Sequence, residues 1–185
     1  MRLRWLGTWL CAALVCPLLG GCGYNSLQQQ DEAVKTTWSE VVSQYQRRAD
    51  LISSLAGSVK GFAESENGLL GTTEANARTS AQPAAPAVLT DPAAFARYQA
   101  MQDQLTRSLG SLMGMGATYP QLQSDANFLD LRAQLDEAEG RIADARTRYM
   151  DAVRTFNTTV RTFPTDLTAR VFDFRPKPPL AAASN

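Results

Sequence analysis

The chain has 185 residues, 44% of them hydrophobic and 19% charged, which suffices for one ordinary core and is too apolar for a disordered chain. Formal charge is zero, and the part from Cys22 onward, without Arg2 and Arg4, carries 16 basic against 18 acidic residues, so the basic field that drives nucleic-acid binding is missing. Histidine is absent, which removes imidazole from general-base, nucleophile-activating and zinc-binding roles, and all three cysteines fall within the first 22 residues, leaving the body no internal disulfide and no thiolate cage for a metal.

Met1-Arg2-Leu3-Arg4 is a short basic start, and the run from Trp5 to Leu19 is mostly apolar. Leu19-Gly20-Gly21-Cys22 closes it with small residues, the layout of a secretory signal. The run is shorter than the roughly 20 residues a transmembrane helix needs. Leu-Gly-Gly-Cys also resembles the bacterial lipobox, which implies cleavage before Cys22 and a lipid, palmitate included, on that cysteine. The alternative is an uncleaved span from about Trp5 to Tyr24, tilted or locally thinning the bilayer. Either way residues 1–21 are a signal or membrane segment and 22–25 an anchor and short linker. The basic start stays inside, so the body is delivered across the membrane. Gly23 stands where inner-membrane lipoproteins of many Gram-negative bacteria carry Asp. The lipobox resemblance therefore implies the outer membrane, with the body facing the periplasm.

The body, residues 26–175, reads as a helical bundle. Leu27, Val34, Trp38, Val41, Tyr45, Ile52, Leu55, Val59, Phe62 and Leu69 recur at steps built from threes and fours, placing them on one helical stripe. Steps that sum to seven favour a left-handed supercoil with a partner helix. No proline interrupts Ser26 to Gln82, and an unbroken helix there would be about 80 Å long. Gly57, Gly61, Gly68 and Gly71 predict a bend or a change of packing partner. Asp31, Arg48 and Glu66 interrupt the stripe, either because its phase drifts toward Ala49, Ala63 and Leu70 or because buried polar contacts fix register.

Ser80 to Pro92, with three prolines, ends this helix. Thr90-Asp91-Pro92 starts the next, which carries Phe95, Tyr98, Leu105, Leu109 and Leu112 on one face. That helix fades at Gly114-Met115-Gly116 and stops before Tyr119-Pro120. Ser124 and Asp125 cap a third helix with the stripe Phe128, Leu131, Leu135, Ala138, Ile142, Ala145, Tyr149, Ala152, Phe156, Val160 and Phe163, ended by Pro164. Thr165 to Phe174 makes a short closing helix, and residues 176–185 form a flexible Pro-rich tail. With no strand pattern, the expectation is an all-α, elongated antiparallel bundle of three long helices and a short C-terminal one.

Gly23-Tyr24-Asn25-Ser26-Leu27, Trp38-Ser39-Glu40-Val41, Gln44 to Ile52, Lys60-Gly61-Phe62-Ala63-Glu64, Asn127-Phe128-Leu129, Arg141-Ile142-Ala143 and Phe163-Pro164 together resemble the LemA family over roughly Gly23 to Lys177. Ser53, Ser65 and Gly140 depart from its usual Pro, His and Asn. The resemblance implies a membrane-associated, up-and-down four-helix bundle with an N-terminal anchor and implies no enzymatic activity.

Chemical motifs point the same way. There is no Gly-x-Ser-x-Gly and no phosphate-binding glycine loop. The nearest Ser/Lys pair, Ser58 and Lys60, is spaced so that the side chains leave different helix faces. Asp136, Glu137 and Glu139 lack the Glu-x-x-His partners of a di-iron bundle and read as a solvated face beside Arg132 and Arg141. Arg47-Arg48 reads as an exposed pair or a weak head-group contact. The expectation is a non-enzyme without catalytic, cofactor-binding or metal residues, its one site being lipid attachment at Cys22. Its partners are membrane lipid, through Cys22 or Trp5–Leu19, and another envelope protein, with no nucleic acid or small-molecule substrate. Its role is scaffold, spacer or adaptor; the alternative is an accessory or regulatory subunit of an envelope enzyme such as a membrane protease.

Overall fold

The computed structural model describes the backbone of residues 2–62 and 67–181, and the side chains of residues 23–62, 67–116 and 118–181. Helix α1 (Arg2–Lys60) is the spine, followed by α2 (Asn67–Ser80), α3 (Pro92–Thr118), α4 (Ala126–Arg161) and the short α5 (Thr165–Val171). The described residues contain no strand, so the expected all-α bundle stands. Residues 23–25, expected as a linker, are already helical within α1.

One long helix was expected from Ser26 to Gln82, and the chain instead makes two antiparallel ones. α1 ends at Lys60, Gly61 and Phe62 turn, and α2 runs back along α1 until the Gln46 amide reaches the Ala81 carbonyl at 3.2 Å. Glycine lowers the cost of leaving the helix at 61, and α2 gains a second neighbour by reversing: Asn76 donates to Ser108 of α3 at 2.9 Å. Phe62, expected in the core, is exposed at this turn. From Gly23 to Lys60 the spine rises about 56 Å at 1.5 Å per residue, shorter than the expected rod.

α3 runs parallel to α1, and α4 returns antiparallel to it. Both start at carboxylate caps, Asp91 accepting from the Ala93 and Ala94 amides and Asp125 from the Phe128 amide. The α4 stripe is buried from Phe128 to Val160 except at Leu131 and Ala152, which are half-buried against the core, and Phe163 has left it. After the cis Phe163–Pro164 bond, α5 folds under α1, so that Thr165 and Thr168 sit against Gly23 and Phe172 packs 4.7 Å from Tyr24. This is the basal end of the bundle; the turn after Lys60 and the Pro120–Ser124 3-10 turn mark the far end.

Two apolar clusters fill the interior. The basal one centres on Trp38, whose ring lies 5.4–5.5 Å from those of Phe95, Tyr98 and Tyr149; the far one contains Ile52, Leu55, Leu70, Leu105, Leu112, Leu122 and Leu135. In the basal half the fourth position of the bundle belongs to no long helix. Residues 81–91 occupy it, including a 3-10 turn at Pro86–Thr90, with Leu89 buried and the Ala84 carbonyl accepting from the Trp38 indole at 3.3 Å. This Pro/Ala segment lies against the flank of the bundle, because α2 has already carried the chain halfway back.

The tail expected to be flexible is docked as far as Ala181. Asp173, at φ 56°, turns the chain after α5, and residues 174–181 climb α4 as a strap. Asn157 clamps Lys177 from both sides, accepting its amide at 2.7 Å and donating to its carbonyl at 2.9 Å. Tyr149 donates to the Pro178 carbonyl at 2.7 Å, and Leu180 is buried. These side chains satisfy backbone groups that a strand would satisfy with another strand.

Candidate functional site

The two apolar clusters meet at one polar layer that threads all four long helices. Arg48 of α1 is 4% exposed and occupies a core position of its stripe. One guanidinium nitrogen reaches Glu139 of α4 and the Thr106 hydroxyl, each at 3.2 Å; the other donates to the Gln102 side-chain oxygen of α3 at 2.9 Å. Gln102 passes the connection on, its amide donating to the Ser80 carbonyl at the end of α2 at 3.2 Å. Gln46 covers the next carbonyl, Ala81, so two otherwise orphaned carbonyls at the α2 terminus are satisfied by side chains. The Arg48 guanidinium also lies 5.2 Å from the Tyr45 ring centre.

Of the two sequence readings of the interrupted stripe, buried contacts therefore hold for Arg48, and also for Asp31; Glu66 lies outside the described residues. The layer also corrects two expectations. Arg48 is buried, so Arg47-Arg48 is not an exposed pair. Glu139 reaches inward from the edge of the solvated face to Arg48, while Glu137 stays outside and pairs with Arg141 at 2.5 Å. The layer works as a register pin, since sliding any helix by one turn strands a buried guanidinium or amide. Replacing Arg48 with methionine keeps most of the volume but strips donors from Gln102 and Thr106, and we expect a loss of about 2 kcal/mol. Glu139→Gln, at a side chain 43% exposed, should cost under about 1 kcal/mol. Urea unfolding of both variants checks the ordering, which a merely peripheral Arg48 would not produce.

A second ionic lock fastens the strap. Asp31 sits between Lys177 and Lys35, each at 2.8 Å, and the Asp31 and Lys177 side chains are nearly fully buried. Burial alone would raise the Asp31 carboxyl, but hydrogen bonds and charge from Lys177 and Lys35 outweigh it and hold it below the ordinary carboxylate value. Hydrogen bonds to Asp31 and then to Glu32 raise Lys35. Lys177 also lies 5.5 Å from the Phe156 ring centre. Sequence reading named Asp31 but missed its partner, and a single lysine within a proline run was the only local signal.

The remaining sequence candidates fall elsewhere. The Ser58 hydroxyl donates to the Leu55 carbonyl at 2.9 Å, a local helix contact, and Lys60 is exposed. Burial pushes the Tyr98 and Tyr149 hydroxyls upward, so both stay protonated. Among the described residues no group of three or more acidic or cysteine side chains is placed to hold a metal, and no helix is long and apolar enough to cross a membrane. The Cys22 side chain and those of Trp5 to Leu19 lie outside the described residues.

Between α3 and α4 the spine forms the floor of an open groove of about 610 Å³, lined by Arg48, Arg107, Arg146, Asp103, Glu139 and Ile142. Arg146 borders it while donating to the Tyr45 hydroxyl at 2.8 Å and to the Ala181 carbonyl at the end of the strap.

A model described as LemA family matches residues 37–185. No curated protein matches the chain.

Proposed function

The chain belongs to the LemA family, and from that premise we propose that it is a non-enzymatic, membrane-anchored envelope protein acting as scaffold, spacer or adaptor. One observation carries the reading: the helix that begins in the apolar N-terminal segment is also the spine on which the other helices pack. An anchor at Cys22, or a span from about Trp5 to Tyr24, is then mechanically continuous with the bundle. Support comes too from the buried charges, since Arg48, Asp31 and Lys177 are all engaged in joining elements to each other. We place the protein at the outer membrane facing the periplasm on the strength of Gly23 after Cys22.

Cys22→Ser tests the anchor. Labelling of cells with a fatty-acid analogue should disappear from the variant, and the variant should leave the membrane fraction. Undiminished labelling overturns the lipoprotein; lost labelling with retained membrane association favours the uncleaved span.

A second reading, an accessory or regulatory subunit of an envelope enzyme such as a membrane protease, is favoured by the arginine-lined groove between α3 and α4. Cross-linking in membranes separates the two by what is captured: an enzyme for the accessory subunit, a structural envelope component for the scaffold. Deleting residues 81–89 would not discriminate, because it removes the Ala84 acceptor and the buried Leu89 along with any docking surface.

A further inference from the structure

α5 is amphipathic with its apolar side turned outward. Thr165, Thr168 and Ala169 face the spine, and Ala169 is buried. Phe163, Leu167 and Val171, spaced by four, point away and are 77%, 54% and 76% exposed; Phe172 beside them is 56% exposed. A surface helix ordinarily does the reverse. Among the described residues seven large hydrophobic side chains are exposed, and five of them, these four and Tyr24, gather at the basal end. Such a concentration marks a contact surface rather than scattered exposure.

What covers it follows from position. α5 packs at the level of Gly23 and Tyr24, and the apolar run ending at Leu19 lies about 6 Å lower on the same helix by helix rise. A lipid on Cys22 would begin one residue away. Both forms of the anchor therefore put this patch in the interfacial zone of a bilayer, where aromatic and aliphatic side chains embed shallowly. Exposed Arg161, Arg170 and Arg175 lie close to the patch in the chain, the kind of charge that meets anionic head groups, the last two also pairing with Asp166 and Asp173.

We propose that Phe163, Leu167, Val171 and Phe172 form a lipid-contacting collar that seats the base of the bundle on the membrane and fixes the tilt of the spine. The proposal rests on the membrane-anchor reading above and adds a second, non-covalent attachment. The patch also shows why α5 accepts an exposed apolar stripe: its partner is the bilayer.

The test uses the full chain in phosphatidylethanolamine and phosphatidylglycerol vesicles, with photoreactive benzoylphenylalanine placed by turns at Phe163, Val171 and, at the far end, Phe62. Phospholipid adducts at 163 and 171 and their loss at 62 are the expected result. A chain that floats with the vesicles but gives no lipid adduct at 163 or 171 overturns the collar and leaves the anchor standing. Adducts with the mass of a second chain overturn it in favour of a dimer face. A chain that does not float removes the anchor and the collar together.

Discussion

Truncating Trp38 to alanine should cost about 4 kcal/mol, within the range for emptying a large aromatic from a core. The indole is fully buried and touches three aromatic rings contributed by α3 and α4, so no single helix can shift to fill the space. Aromatic pairs add about 0.5–1.5 kcal/mol each beyond area burial, and the Ala84 carbonyl loses its donor. That carbonyl belongs to the segment replacing a fourth long helix in the basal half, so the variant should also loosen residues 81–91. Urea unfolding followed by helical circular dichroism measures the loss, and hydrogen exchange on 81–91 locates it. Phe62→Ala, at the exposed turn, should stay within about 0.5 kcal/mol of the parent. Equal costs for the two would sink this account of the core.

The second large effect lies in the strap. Lys177→Met should destabilise by about 2–3 kcal/mol at neutral pH, less than the full cost of orphaning a buried charge because Lys35 still faces Asp31. Its pH dependence has a definite sign. The Asp31 carboxyl is depressed in the folded chain, so its contribution is complete above the ordinary carboxylate value of about 4 and is lost as pH falls through the folded value. The gap between parent and variant in urea unfolding should therefore narrow below about pH 4. It should not close, because the cation over the Phe156 ring does not depend on Asp31. A gap unchanged between neutral and acid conditions would assign the stabilisation to the lysine stem and the ring instead.

The parts of this fold that could be read in advance are those fixed by near neighbours. The α4 stripe and the Asp91 and Asp125 caps depend on spacings of three and four residues, and the structure keeps all of them except Phe163. The split of the first helix was half legible. Four glycines signalled a weak stretch, but only the pairing of α2 with α3 decides that the chain reverses there, and that pairing leaves no local mark. The strap was illegible for a related reason: its backbone is satisfied by Asn157 and Tyr149, whose side chains look like ordinary helix residues in sequence. For the sites, interrupted stripes flagged Asp31 and Arg48 correctly, whereas Lys177, Gln102 and Glu139 came into view only with the folded topology.

The spine also dictates an order of events during synthesis. α1 is made first, yet its apolar stripe is closed mainly by α4, and the surface ion pair of Glu40 with Arg148 beside it joins residues 108 apart. Local helix formation takes microseconds, but this closure must wait until most of the chain has emerged. Until then one side of the spine lies bare, and the nascent chain presents it to any holding chaperone it meets.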